Sequence, residues 1–237
     1  MSLLETKHVD YYYQDGDQRR YILKDASVAF EKGKLYSILG QSGSGKTTFL
    51  SLISALDAPK EGTVLLEDKD IKEIGYDYFR RNKISIIFQS YNLVPYLTAA
   101  ENVLVPMSIT DNELPANHQE VAYNLLDYIG ITKEKANRLV NQLSGGEQQR
   151  ISLVRTLLLE PEIILLDEVT SALDEDNTLL IEELIKYENE NNELTVIFIS
   201  HNNEQAKRLA QKVIYMEEGV IKEFTTVTNF FKERIIK

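Results

Sequence analysis

The sequence contains no cysteine. Disulfide frameworks, thiolate metal sites and cysteine nucleophiles are therefore excluded. Long apolar runs are also missing: the strongest, at residues 163–166 and 196–199, have the length of a strand, whereas a membrane helix needs about 20 mostly apolar residues. Glu5, Lys7 and Asp10 stand where a signal peptide would be apolar. We therefore expect the chain to stay in the cytoplasm and any membrane role to need a separate partner chain.

Positively charged residues are fewer than negatively charged ones. The 237 residues include 26 Lys and Arg against 37 Asp and Glu, which gives a formal net charge of −11. This balance argues against a general nucleic-acid binder, because such proteins gain affinity mainly by neutralising phosphates. A hydrophobic fraction of 43% and a charged fraction of 27% are typical of a globular protein and exclude a disordered or collagen-like chain.

The order of patterns along the chain predicts an α/β fold. Two strand patterns, at residues 3–13 and 21–30, flank turn residues and predict an N-terminal antiparallel β sub-domain. A short apolar strand at 35–39 then leads through a glycine-rich loop into a helix, which is one βα unit. Helical patterns between about 90 and 160 predict an inserted α-helical sub-domain. The α/β rhythm resumes after it, with a helix predicted at 177–187 and a strand at 195–199. We expect a single domain spanning residues 1–237.

The glycine-rich loop matches the pattern G-x-x-x-x-G-K-[ST]. Glycine allows the backbone to turn tightly and approach a phosphate, and the helix that follows presents unpaired N–H groups to the anion. Lys46 is expected to reach the β- and γ-phosphates, and the Thr47 hydroxyl to ligate Mg²⁺. The predicted nucleotide-binding residues here are Gly40, Gln41, Ser42, Gly43, Ser44, Gly45, Lys46, Thr47 and Thr48.

A second acidic centre follows the apolar strand at 163–166. Asp167 and Glu168 come directly after it, and ligands of open α/β sheets bind at the carboxyl ends of strands. Asp167 is placed to hold Mg²⁺, and Glu168 to take a proton from water that attacks the γ-phosphate. The alternative is a strand that simply ends in solvated acids. The nearby phosphate loop favours the catalytic interpretation.

A third motif opens the helix that begins near residue 144. Ser144 and Glu147 form the capping-box pattern, which a well-capped helix would explain by itself. The glycine pair Gly145 and Gly146 adds a second nest of exposed N–H groups suited to an anion. Two phosphate-binding helix N-termini and one Mg²⁺ site in one chain indicate a shared nucleotide.

These motifs, in this order, resemble the ATP-binding cassette (ABC) ATPases over nearly the whole chain. The resemblance implies a P-loop NTPase core of the RecA-like type. It assigns Gln89 to the glutamine loop, Asp174 to the loop that communicates across the dimer, and His201 to the switch histidine. Tyr13 sits where the family stacks an aromatic ring on adenine, with Tyr12 as the alternative. Val169 and Asn202 depart from the residues most relatives carry, but neither change removes a catalytic group.

The resemblance also implies a mechanism and partners. Each ATP would lie between the phosphate loop of one copy and the Ser144–Glu147 signature of another, in an ATP-dependent homodimer. The implied catalytic residues are Glu168, His201, Gln89 and Lys46, and the implied Mg²⁺ ligands are Thr47, Gln89 and Asp167. The chain would sit on the inner face of the cell membrane, bound to an integral-membrane permease.

Residues 88–103 are similar to one ABC subfamily, the ATPases of macrolide efflux, lipoprotein release and antimicrobial-peptide export. The aromatic, proline-bearing segment 91–97 predicts either a docking surface for the permease or packing of the helical sub-domain, and both can hold. We therefore expect an ATPase that powers export of a peptide, lipid-linked or drug-like substrate. The alternatives are a soluble non-transport ABC ATPase and an importer ATPase.

Overall fold

The computed structural model describes residues 2–88, 90–111, 113, 116–171 and 173–235. Gln89 and Ala172 lie outside the described residues, so the glutamine-loop assignment has no structural counterpart here. The strands are β1 (Ser2–Asp15), β2 (Gln18–Glu31), β3 (Leu35–Gly40), β4 (Glu61–Leu66), β5 (Lys69–Asp70), β6 (Ile84–Ile87), β7 (Ile163–Asp167), β8 (Thr195–Ile199), β9 (Lys212–Glu217) and β10 (Val220–Thr226). The helices are α1 (Lys46–Ile53), α2 (Ile71–Ile74), α3 (Tyr76–Asn82), α4 (Ala99–Leu104), α5 (His118–Tyr128), α6 (Lys133–Ala136), α7 (Gly145–Leu157), α8 (Glu175–Asn192), α9 (Asn203–Leu209) and α10 (Val227–Ile235).

The N-terminal hairpin is the centre of an antiparallel sheet with strand order β2-β1-β4-β5. Its turn lies at Gly16 and Asp17, inside the predicted turn, and Gly16 has a φ of 59° that suits glycine. The antiparallel β sub-domain is therefore confirmed, although the sequence pattern did not show the short strand β5.

The second sheet positions the candidate site. Its strand order is β10-β9-β3-β8-β7-β6, and every neighbouring pair from β9 to β6 is parallel. Ile199 at the end of β8 pairs with Ile38 of β3 on one side and with Asp167 of β7 on the other. The phosphate loop, the acidic pair and the switch histidine therefore all leave the sheet at one edge.

The parallel strands are buried on both faces. Ile163 and Leu165 of β7 belong to the core beneath the antiparallel sheet, whereas Ile164 and Leu166 belong to the core beneath the helices. This division follows from the period of two along a strand, and it explains why β7 reads as a continuous apolar run. The central sheet is thus held between two apolar layers.

Helices α4 to α7 lie between β6 and β7 in the chain, as predicted for the inserted segment. The sequence patterns also predicted α8, but as residues 177–187 only. Its true extent is set by caps: the Asp174 side chain accepts a hydrogen bond from Asn177 N at the start, and Glu193 ends the helix at a φ of 52°. Helices α2, α3 and α6, which have four, seven and four residues, were not predicted. The sub-domain boundaries near 90 and 160 stay a prediction.

Candidate functional site

The phosphate loop joins β3 to α1 and depends on two glycines. A Cβ atom at Gly40 would lie 2.2 Å from the carbonyl oxygen of Met216 in β9, so no larger residue fits there. Gly45, directly before α1, has a φ of 94°, and a Cβ atom there would lie 2.8 Å from the carbonyl oxygen of Ile22. The loop is therefore pressed between neighbouring strands, which fixes its curvature.

Lys46 is buried inside this loop. Its Nζ donates hydrogen bonds to the carbonyl oxygens of Gly40 at 2.9 Å and Gln41 at 2.8 Å. Burial lowers the pKa of the Lys46 amine, whereas the nearby carboxylates of Glu168 and Asp167 act in the opposite direction. The cation thus sits where the loop closes on itself and within electrostatic reach of the acidic pair.

The loop also holds an unsatisfied polar atom. The buried Ser44 Oγ has no hydrogen-bond partner within the described part of the chain, although the Ser44 backbone is fixed by bonds to Gln41 and Gly219. Buried hydroxyls without partners are uncommon and point to a missing ligand. Together with the helix N-terminus of α1, this arrangement fits the phosphates of a nucleotide.

Asp167 and Thr47 lie side by side. Burial raises the pKa of the Asp167 carboxyl above its ordinary value, and the hydrogen bond with the Thr47 side chain opposes that rise. No cluster of three or more His, Asp or Glu side chains suited to a metal occurs among the described residues. One carboxylate and one hydroxyl still fit Mg²⁺, because this ion is usually held by one or two protein oxygens and the oxygens of its phosphate substrate.

Glu168 and His201 form a direct contact at the edge of the sheet. His201 Nε2 lies 2.7 Å from Glu168 Oε1, and both residues line a cavity of about 770 Å³ between the starts of α8 and α9. Glu168 has a φ of 54°, an unusual backbone conformation for a residue with a side chain. Asp167 at the end of β7 therefore lies beside Thr47, and Glu168 in the sharp turn that follows contacts His201.

The signature motif caps helix α7 as the sequence predicted. Ser144 Oγ accepts from the backbone N–H of Glu147, and the Glu147 carboxylate accepts from Ser144 N at 2.8 Å. Lys135 Nζ lies 2.7 Å from Glu147 Oε1, and this hydrogen bond is the largest of the effects that lower the pKa of Glu147 to about 2. Glu147 is thus occupied by its own chain, whereas Ser144 and Gly145 are exposed.

The signature packs against the loop that contains Asp174. A Cβ atom at Gly146 would lie 3.3 Å from Leu173 Cδ2. Arg150 of α7 donates to the Asn177 side chain, whose amide in turn donates to both oxygens of Asp174 at 2.7 Å. The start of α7 and the start of α8 are therefore one connected unit.

The phosphate loop and the residue after the signature line different cavities. Gly40 and Gln41 line one with Ser200 and His201, whereas Gln148 of α7 lines another with Tyr91. The structure brings Lys46, Thr47, Asp167, Glu168 and His201 to one edge of the sheet. The signature lies at the start of α7, and residues 144–147 are not among the described residues that line the cavity of Gly40 and Gln41.

Tyr13 and Tyr12 differ in what covers them. Tyr12 packs against Tyr21 with ring centres 5.2 Å apart and lies beneath the Arg19 guanidinium. Tyr13 is 58% exposed and makes a T-shaped contact with the Tyr11 ring, with ring centres 5.6 Å apart. Tyr13 therefore offers the more open ring face, and its contact with adenine stays a prediction.

Two residues that bind loops near the site were missed by sequence reasoning. Arg155 of α7 donates to the carbonyl oxygens of Asn92 and Tyr91, and Gln205 of α9 pairs with Thr170. Only the general rarity of a buried arginine or glutamine could have signalled them, and burial is not visible in the sequence.

The profile of the ABC transporter family matches residues 23–171. The chain belongs to this family. ABC cassettes bind and hydrolyse ATP, so the predicted ATPase activity is confirmed. None of the helices in the described residues combines the length and apolar character of a membrane span.

Relatives of this ABC protein cover nearly all of it. The uncharacterized ABC transporter ATP-binding protein YclH of Bacillus subtilis is 42% identical over 207 residues, which are 87% of this chain and 90% of YclH. The methionine import ATP-binding protein MetN 1 of Bacillus thuringiensis is 35% identical over 93% of this chain, but the match covers only 65% of MetN 1.

Solved structures support the same assignment. MJ0796 of Methanocaldococcus jannaschii, described as a dimeric ABC transporter cassette, has a TM-score of 0.86 and 34% identity, covering 94% of this chain and 98% of MJ0796. A second MJ0796 structure, with a TM-score of 0.85, shows a dimer bound to ADP and Pi after hydrolysis. The predicted fold class, with its antiparallel sheet and helical insertion, is confirmed.

Proposed function

We propose that this ATPase works as an ATP-dependent homodimer that drives a separate membrane permease for export. The observation that carries the dimer is that the two halves of the nucleotide site lie on different elements of one chain. Lys46, Asp167 and Glu168 lie at one edge of the sheet, whereas the exposed Ser144 caps α7 and is not among the described residues that line the cavity of Gly40 and Gln41. The MJ0796 cassettes, which share this fold, are dimers.

The residues of the sheet edge divide the chemistry among them. The loop N–H groups and Lys46 bind the phosphates, and charge-assisted bonds of this kind are the strong ones. Thr47 and Asp167 would hold Mg²⁺, which neutralises charge on the phosphate oxygens during transfer. Glu168 accepts the proton of the attacking water, and His201 orients the Glu168 carboxylate and reaches the γ-phosphate.

The segment after residue 89 supports a docking surface for the permease. Its base is anchored: Arg155 binds the carbonyl oxygens of Tyr91 and Asn92, and Leu93 packs on the helical core. Its tip is not, because Tyr96 is 77% exposed. Leu93 therefore fits the packing interpretation, and the exposed Tyr96 is the candidate anchor for the permease.

Tyr91 would connect such a surface to the ATP site. Its hydroxyl lies 3.0 Å from the position that a Cβ atom would take at Gly145 of the signature. A push on the segment would thus reach the signature directly. This contact supports a transporter over a soluble ABC ATPase, which has no membrane partner to report on.

Replacing Tyr96 with serine tests the docking surface. The chain is co-expressed with a permease that co-purifies with it, and ATPase activity is measured free and with that permease in nanodiscs. We expect Tyr96→Ser to keep basal activity and to lose most of the stimulation, since large aromatic anchors dominate interface energy. Tyr187→Ser, on α8 and 58% exposed, is the matched control. Full stimulation of Tyr96→Ser would contradict the proposed surface.

Import is the second candidate, because a methionine import ATP-binding protein is 35% identical to this chain. Deleting the ATPase and permease genes separates the two directions. Export predicts greater sensitivity to macrolides or antimicrobial peptides, restored by the wild-type gene and not by Glu168→Gln. In a methionine auxotroph, loss of growth on limiting external methionine, with unchanged sensitivity, would favour import.

A further inference from the structure

Gln205 and Thr170 form a reciprocal pair beside the catalytic edge. The Gln205 Nε2 amide donates to Thr170 Oγ1 at 2.9 Å, and the Thr170 hydroxyl donates to Gln205 Oε1 at 3.2 Å. Gln205 is 5% exposed. A buried side-chain amide must be satisfied, so this pair is held in place by the cost of leaving either group without a partner.

Thr170 belongs to the turn that carries Glu168. The Glu168 carbonyl oxygen accepts from Ser171 N at 3.1 Å and from Ser171 Oγ at 2.8 Å, which closes the turn on itself. At its start, Glu168 N donates to the Ile199 carbonyl at 3.3 Å. Thr170 links the later part of this turn to α9 through Gln205.

Gln205 lies in the first turn of α9, the helix that begins two residues after His201. Asn202 caps this helix, because its side chain accepts from Glu204 N and Gln205 N. Asn202 N in turn donates to Ser200 Oγ at 2.9 Å. The loop around His201 is therefore rigid with respect to Gln205.

We propose that Gln205 is a positioning residue for ATP hydrolysis: by binding Thr170, it holds the turn of Glu168 at a fixed distance from the loop of His201. This inference rests on the roles proposed above for Glu168 and His201. Gln205 is buried and acts in this proposal through Thr170, not on the nucleotide.

The contact between His201 and Glu168 depends on the positions of the two loops that carry them. The side chain of His201 is 52% exposed and that of Glu168 is 25% exposed, and both border the same cavity. Ordering partly exposed side chains costs conformational entropy, and a fixed backbone on both sides favours their 2.7 Å contact. A misplacement of about 1 Å in a catalytic group can cost about 10²-fold in rate.

A separate ion pair joins α9 to α8. Arg208 donates to both carboxylate oxygens of the buried Glu182, at 2.9 and 3.0 Å. This ion pair joins the bodies of the two helices, whereas the Gln205 amide joins the two loops. Loss of Gln205 would therefore leave the helices docked and release the turn.

Gln205→Leu, Thr170→Val and their double variant test the proposal in the full-length protein. Leucine keeps the volume of glutamine and removes both hydrogen bonds. We expect each single variant to lower kcat about tenfold or more, with KM and the affinity for ATP nearly unchanged. The double variant should be no slower than either single one, because both remove the same pair. Thr170→Ser keeps the hydroxyl and should retain wild-type turnover.

Asn189→Leu is the matched control for folding. Asn189 is also a buried amide, and it donates to the Leu194 carbonyl at 2.6 Å near the other end of α8. We expect it to lower the melting temperature as Gln205→Leu does, but to keep kcat. Equal losses of kcat in the two variants, or wild-type kcat in both Gln205→Leu and Thr170→Val, would overturn the proposal.

Glu168→Gln in the same series separates this inference from the proposed function. If Glu168→Gln abolishes turnover and Gln205→Leu does not change it, Gln205 has no positioning role and the assignment of Glu168 stands. If Glu168→Gln turns over ATP at the wild-type rate, the proposed role of Glu168 fails, and the inference built on it fails too.

Discussion

His201 Nε2 lies 2.7 Å from Glu168 Oε1, at the point where β7 and β8 end side by side. The two residues are separated by a whole helix and strand in the sequence. Their contact joins the proposed proton acceptor to the proposed γ-phosphate sensor before either touches a nucleotide. We expect the pair to act as a unit, so the two variants below should fail at the same step.

Replacing Glu168 with glutamine should leave ATP binding intact and lower turnover. The amide keeps the size and hydrogen bonding of the carboxylate but cannot accept a proton, a loss of about 10²- to 10⁴-fold. Gel filtration should show a dimer with ATP and a monomer without it. Glu175→Gln, a neighbouring exposed carboxylate at the start of α8, serves as control and should turn over normally. Elution as a monomer in both conditions would argue against the shared site.

Replacing His201 with alanine should slow turnover and leave ADP binding by the monomer unchanged, because the imidazole contacts Glu168 and its proposed phosphate contact is the γ-phosphate, which ADP lacks. His8 forms an equally short pair with Asp25, at 2.7 Å, on the exposed surface of the β1–β2 hairpin. His8→Ala should have no effect on turnover. Isothermal titration with ADP and a phosphate-release assay measure the two quantities. A His201→Ala protein whose main defect is weak ADP binding would show that its assigned role is wrong.

Replacing Lys46 with alanine should weaken ATP binding about 10- to 100-fold, the value of one charge-assisted hydrogen bond of about 1.5–3 kcal/mol. It also removes the two bonds that close the loop on Gly40 and Gln41. Titration with a fluorescent ATP analogue measures the affinity. Lys69→Ala, on the exposed strand β5, is the control. Unchanged affinity would contradict the assignment of the phosphate loop.

Replacing Ser144 with alanine should reduce both stability and turnover. Loss of a helix cap costs about 1 kcal/mol. The chain offers a matched control, because Thr98 and Glu101 form the same capping box on α4. Thr98→Ala should lose similar stability in urea and keep its turnover, whereas Ser144→Ala should lose turnover with ATP binding by the monomer intact. If the two variants lose stability and turnover to the same extent, Ser144 acts only as a helix cap and not in catalysis.

The Glu147–Lys135 pair should make stability depend on acid pH. The hydrogen bond from Lys135 is the largest cause that lowers the pKa of Glu147 from its ordinary value near 4.5 to about 2. A depressed carboxyl pKa adds stability above the unfolded value, and that stability is lost as the pH falls from 4.5 toward 2. Urea unfolding of Glu147→Gln should therefore differ most from wild type above pH 4.5, and the difference should shrink below it. A difference that does not change with pH would contradict this account.

Local motifs were predictable because each carries its own physical reason. Strand β8 was predicted with its true bounds, Thr195–Ile199, since an apolar run buried on both faces needs no partner to be recognised. The capping box of Ser144 and Glu147 was predicted for the same reason, because its bonds join residues three apart. Helix α6 was not, since four residues show no period.

The sequence by itself determined the chemistry: the loop at Gly40, the acids at Asp167 and Glu168, and the signature at Ser144, each within a few consecutive residues. Tertiary structure alone decided which of them meet, and that Tyr96 and not Leu93 is exposed. Arg155 binds a carbonyl 64 positions away, and Gln205 binds a hydroxyl 35 positions away. Such bonds are set by the packing of sheet and helices. The sequence shows that a side chain can form a hydrogen bond, but its partner is determined only when the fold buries both groups together.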